Sequence, residues 1–71
     1  MYSIVLDTPE FMEKQYSCTS LDRAMKMFSL MKEDTEEADF VLYLVEHNDD
    51  EDPTDLIEEG KGIIGRYSVS M

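Results

Sequence analysis

The chain has 71 residues, with seventeen Asp and Glu against six Lys and Arg, a formal net charge of −11 and a pI near 4.1. That length accommodates one hydrophobic core and no second domain, and that charge repels nucleic acid and anionic lipid, so direct DNA or RNA binding is excluded most firmly. Hydrophobic residues at 42% still suffice for a packed interior, while a lone cysteine, Cys18, rules out an internal disulfide and suits the reducing cytoplasm.

In chain order, Tyr2 to Thr8 reads as a strand, with Tyr2, Ile4 and Leu6 alternating against Ser3, Val5 and Asp7. This N-terminal stretch lacks the basic and apolar regions of a secretory signal, and neither export nor membrane insertion is expected. Thr8-Pro9-Glu10 predicts a turn into a second strand, Phe11 to Cys18, completing a hairpin. On that strand Met12, Lys14, Tyr16 and Cys18 share one face and Glu13, Gln15 and Ser17 the other.

Thr19-Ser20-Leu21-Asp22 has the hydroxyl and the carboxylate of a capping box, and predicts a helix running to about Lys32 or Glu33. Leu21, Ala24, Met25, Phe28 and Met31 form its core stripe, Met27 lies on the shoulder and Leu30 falls behind. Ala38 to Val45, with the run Phe40-Val41-Leu42-Tyr43-Leu44-Val45, predicts a central strand buried on both faces or covered by a partner. A polar stretch, His47 to Gly62, follows; Asp55 to Glu59 within it has room for a short strand or a turn of helix. Ile63 to Val69 gives the last strand, with Gly60 and Gly62 as turn residues and Gly65 at a bulge or close approach. The predicted fold is α+β, a small antiparallel sheet with one amphipathic helix on one face, in the order ββαββ, as a single domain spanning residues 1–71.

Charge is distributed very unevenly along this chain. Glu33, Asp34, Glu36, Glu37, Asp39, Glu46, Asp49, Asp50, Glu51, Asp52, Asp55, Glu58 and Glu59 fall in one segment that has no Lys or Arg, whereas the other 44 residues carry four acids and six bases. Like charges repel over about 8 Å at physiological salt, and Glu33 and Asp34 face the negative end of a helix dipole, so the segregation opposes folding. Complementarity to a basic partner offsets that cost by speeding association and rejecting wrong partners. The thirteen acids are therefore the candidate partner-binding residues. The competing interpretation is a solvated loop that keeps a small protein soluble.

A partner that grips nucleic acid is a natural target, because duplex DNA presents about one negative charge per 1.7 Å of axis and an array of carboxylates can imitate a short stretch. In size, charge and plain α+β layout the chain resembles the small acidic inhibitors that bacteriophages make against host defences, namely DNA-mimic anti-restriction proteins and some anti-CRISPR proteins. The resemblance implies an interaction protein or inhibitor, and carries no residue-level motif.

Other chemistry finds little support. Asn48, Asp50, Asp52 and Glu59 fall on four positions of a calcium loop, but Pro53 stands where its glycine is needed. His47 is the lone histidine, expected to be exposed, and no zinc set forms around it. Cys18 has no resolving thiol or adjacent base and reads as a small buried residue. Neither a cofactor nor a metal is expected, and no enzymatic constellation emerges. The alternative function is a structural or regulatory homodimer, with Met27 and Leu30 as the candidate dimer surface and the acids only solubilising it.

Overall fold

The computed structural model describes residues 1–34 and 39–69. Its elements are β1 (Tyr2–Asp7), β2 (Met12–Cys18), α1 (Leu21–Asp34), β3 (Phe40–Glu46), α2 (Pro53–Glu59) and β4 (Ile63–Val69). The four strands form one antiparallel sheet in the order β2-β1-β3-β4, so β1 and β3 are central. The α+β class agrees with the sequence; the order ββαββ does not, because a second helix stands between β3 and β4 and makes it ββαβαβ.

The two helices cover opposite faces of the sheet. Ile4, Phe40, Leu42 and Leu44 pack with Ala24 and Phe28 of α1. The alternate side chains Val5 and Val45 pack with Leu56 and Ile57 of α2. Coverage on both sides explains why Phe40 to Val45 shows no polar alternation: each residue of a doubly covered central strand meets apolar neighbours whichever way it points.

Helix α2 forms because strong local signals bracket a short apolar pair. The Asp52 carboxylate accepts from the Thr54 backbone N–H at 2.9 Å and from the Thr54 hydroxyl at 2.7 Å, and Pro53 occupies the first helical position, where its missing N–H costs nothing. At the other end Gly60 turns left-handed at φ 73°, and the N–H groups of Gly60 and Lys61 close on the carbonyls of Ile57 and Leu56. Leu56 and Ile57 are the residues that bury against the sheet.

The register of β2 corrects the expectation of one shared face. Tyr16 pairs with Ile4, but Lys14 pairs with Val5, leaving Gln15 as an extra residue. A bulge of this kind reverses the alternation. Tyr16 and Cys18 therefore lie on the α1 side, whereas Met12 packs on the α2 side.

Helix α1 begins one residue later than the capping-box pattern suggests. Ser20, not Thr19, is the cap: its hydroxyl accepts from Arg23 N–H and its carbonyl from Ala24 N–H. The core-facing stripe is Ala24 and Phe28, buried, with Met27 and Met31, partly buried; the expected core residues Leu21 and Met25 are instead exposed, at 41% and 53%. Met27 thus takes the place assigned to Met25, a rotation of the helix set by Phe28, whose ring lies over Gly65 of β4.

Two glycines fix how β4 joins the sheet. Gly62 has φ 72°, and a Cβ there would stand 2.5 Å from the Glu46 carbonyl oxygen, which accepts no such crowding because Glu46 N–H is itself bonded to the Gly62 carbonyl. At Gly65 a Cβ would meet Leu44 Cβ at 3.1 Å and the Phe28 ring at 3.6 Å, so this is the close-approach point that the sequence marks.

Candidate functional site

The fold divides the acidic segment among three places. Asp49 to Asp52 form the loop entering α2, and Asp55, Glu58 and Glu59 lie along the helix; all seven are exposed. Glu33 and Asp34 belong to the last turn of α1, which covers the other face of the sheet. Asp39 and Glu46 are exposed at opposite ends of β3, roughly 23 Å apart at about 3.3 Å per residue. Glu36 and Glu37 fall outside the described residues.

The structure brings Asp50, Glu51, Asp52, Asp55 and Glu59 around one shallow depression of about 230 Å³ floored by Leu56. Their convergence follows from local geometry. Asp55 and Glu59 are four apart and share a helix face, and the entering loop is folded back by Glu51, whose N–H donates to the Asn48 carbonyl while its carboxylate accepts from Asn48 N–H at 2.9 Å. A neighbouring groove is lined by Asp49 to Thr54 together with Met12, Glu13 and Lys14 of β2.

Neutralisation within this surface is slight. Among the described residues the ion pair at its rim is Lys61 with Glu59 at 3.8 Å, between two well-exposed side chains, a geometry worth little in water. The hydrogen bonds from Thr54 hold the Asp52 carboxyl below the ordinary 3.8, with Lys14 helping more weakly. Its Oδ1 is thus engaged in capping α2. Among the described residues no group of three or more His, Cys, Asp or Glu is arranged to hold a metal ion.

The sheet separates this acidic layer from a surface of different character. Across Leu21–Asp34, α1 carries three bases, Arg23, Lys26 and Lys32, balanced by three acids, Asp22, Glu33 and Asp34, whereas residues 48–59 carry seven acids and no base. Lys32 is additionally held over aromatic rings, its Nζ 5.0 Å from the centroid of Phe28 and 5.4 Å from that of Tyr67.

His47 departs from the sequence expectation: it is buried, not exposed. Its Nε2 lies 2.6 Å from the hydroxyl of fully buried Ser3, its Nδ1 lies 2.7 Å from the Asn48 carbonyl, and Ser3 in turn meets the Ser17 hydroxyl at 2.8 Å. In the neutral ring Nδ1–H donates to the carbonyl and Nε2 accepts from Ser3. A serine and histidine at this spacing suggest a nucleophile and its base, but an attacking oxygen must reach a substrate carbon at about 3 Å, and Ser3 is sealed between strands. The chain of bonds ties β2, β1 and the exit of β3 together. Main-chain bonds between Met1 and His47 extend the tie.

Cys18 is half-buried, its thiol donating to the Ser20 carbonyl at 3.2 Å beside the α1 cap. Nearby, burial and then the Glu46 carboxylate push the Tyr2 phenol up from its ordinary value. Of the candidate dimer pair, Met27 is half-buried against the core and Leu30 is 59% exposed.

The burial of His47 had only a weak signal in the sequence, its place directly after an apolar run. Helix α2 had a better one in Asp52-Pro53 and Gly60, obscured by the surrounding charge. No family model matches the chain, and no curated protein or solved structure resembles it significantly.

Proposed function

We propose that this protein is an acidic interaction module or inhibitor that docks through its α2 layer on a basic partner. The observation that carries this reading is the convergence of Asp50, Glu51, Asp52, Asp55 and Glu59 on one exposed depression with only a weak ion pair at its rim. Like charges gathered at a surface with little internal compensation oppose folding, and an incoming cation removes the opposition while gaining electrostatic steering. The preferred partner is a protein or complex that itself grips nucleic acid, because a rigid helix and a capped loop hold carboxylates in fixed positions as a duplex holds phosphates. In size, charge and layout this fits a phage-encoded anti-defence protein of the DNA-mimic or anti-CRISPR kind, acting without catalysis in the cytoplasm.

Retention of basic proteins from a lysate at about 0.05 M salt, followed by a salt gradient, tests the proposal. Two variants with equal loss of charge make the comparison specific: Asp50→Asn, Asp55→Asn, Glu59→Gln against Glu10→Gln, Asp22→Asn, Glu33→Gln. Asp52 is spared in both because it caps α2. The first triple should elute at distinctly lower salt than the wild type, and the second nearly with it. Equal retention of both triples would mean that net charge, not this surface, governs binding.

A further inference from the structure

We infer that the outer edge of β4 is a self-pairing surface, through which two copies of the chain join antiparallel into one continuous sheet. The two edges of the sheet are not equivalent. The β2 edge carries Glu13 and Lys14, is broken by a bulge, and is flanked by the loop entering α2. These are devices that blunt an edge. The β4 edge is less protected: its own register shift is confined to its first residues, Arg66 is its one charge, no strand among the described residues pairs with its outer side, and Ile63 to Val69 contains no proline and no acid. Ile64 and Tyr67 are exposed there, at 50% and 37%.

Charge selects a second copy as the occupant and also sets the register. Residues 60–69 hold Lys61 and Arg66 and no carboxylate, and Lys32 stands over Tyr67 from α1. Two chains of net charge −11 repel one another overall, and this acid-free edge is where that repulsion is least. The register shift against β3 falls between Ile63 and Gly65, so the regular part of β4 is Gly65 to Val69, with Tyr67 at its midpoint. A two-fold axis through Tyr67 pairs this whole stretch with itself. Each Tyr67 then faces its counterpart, each Gly65 faces Val69 of the second copy, and each Arg66 faces Ser68 of the second copy on the α2 side. No like charges stand directly opposite. Tyr67 is already held by Phe40, with ring centroids 6.1 Å apart, so little is lost in ordering it.

Five paired residues a side make a weak dimer, below the standard interface of about 1,600 Å². Sedimentation velocity over a concentration series up to about 1 mM at low and high salt reads it. Because the copies share a net charge of one sign, dimerisation should tighten as salt rises, opposite to docking on a basic partner, so failure of either idea is visible without the other. Ser68 is exposed, and its substitution probes the register without touching the core. Ser68→Glu should tighten the dimer roughly 2- to 30-fold by facing each Arg66 with a carboxylate, and Ser68→Lys should weaken it by a similar factor. Thermal melts confirm that both variants fold. A protein monomeric throughout, or a dimer that these two substitutions leave unchanged or shift in the same direction, overturns the inference.

Discussion

At the scale of single residues, Gly62 and Ser3 are held by constraints that a substitution would expose. Gly62→Ala combines a left-handed φ of 72° with a Cβ 2.5 Å from the Glu46 carbonyl oxygen. Local strain of that order costs about 1–3 kcal/mol, and the junction of β3 and β4 would have to shift as well. Urea denaturation should place the loss at or above that range, whereas Gly60→Ala, with nothing near its Cβ, should lose less. Ser3→Ala removes the hydroxyl between His47 and Ser17, leaving a buried imidazole nitrogen without its partner. Stranding such a group costs about 1–3 kcal/mol. If Ser3→Ala proves neutral by the same measurement, the chain of bonds from Ser17 to Asn48 does not tie the strands.

At the scale of elements, α2 depends on its cap and on two apolar side chains. The folded-state carboxyl of Asp52 titrates below 3.8, its unfolded value, so its stabilisation is complete above that value and disappears as pH falls through the lower folded value. The stability gap between wild type and Asp52→Ala, followed from about pH 6 to about pH 2, should hold steady in the upper part and close at the acid end. A gap independent of pH would mean that the charge of Asp52 contributes nothing to the cap. Ile57→Ala should cost about 2–5 kcal/mol by opening the packing against Val5 and Val45.

The same elements indicate how far the fold was legible in advance. The strands β1, β3 and β4 follow from β-branched runs bounded by turn residues, and the double burial of β3 from its lack of alternation. The start of α1 was visible to within one residue, since either hydroxyl of Thr19-Ser20 could cap it and only the observed bond to Arg23 decides. Three features were not legible because they depend on contacts distant in sequence. The extra residue Gln15 reverses the faces of β2 through its pairing with β1. The ring of Phe28 seats on Gly65, turning Met25 out and Met27 in. His47 is buried because Ser3, 44 positions away, meets its ring. Helix α2 is a different case: cap, proline and glycine were all present, but seven residues supply too short a periodicity to outweigh the acidic composition. For the same reason the candidate acids were identifiable one by one, while their division between the two helical layers was not.

At the scale of the whole molecule, the sheet acts as a partition between a charge-balanced helix α1 and an acidic layer on α2, with an acid-free edge at β4. No helix among the described residues is long and apolar enough to cross a membrane. Repulsion within the α2 layer should make the domain more stable as salt rises, until screening is complete at a Debye length of about 3 Å near 1 M. Thermal melts of the wild type and the Asp50→Asn, Asp55→Asn, Glu59→Gln triple should converge on that plateau. A melting temperature insensitive to salt would show that the carboxylates do not oppose folding.

Affinity for the retained basic partner, measured by calorimetry against salt for the wild type and both charge-matched triples, tests the central claim most directly. Removal of Asp50, Asp55 and Glu59 charges should weaken binding roughly 3- to 100-fold at low salt and flatten its salt dependence, while the Glu10, Asp22 and Glu33 triple stays close to wild type. Equal losses in the two triples, or affinity that none of the substitutions moves, would contradict docking through the α2 layer.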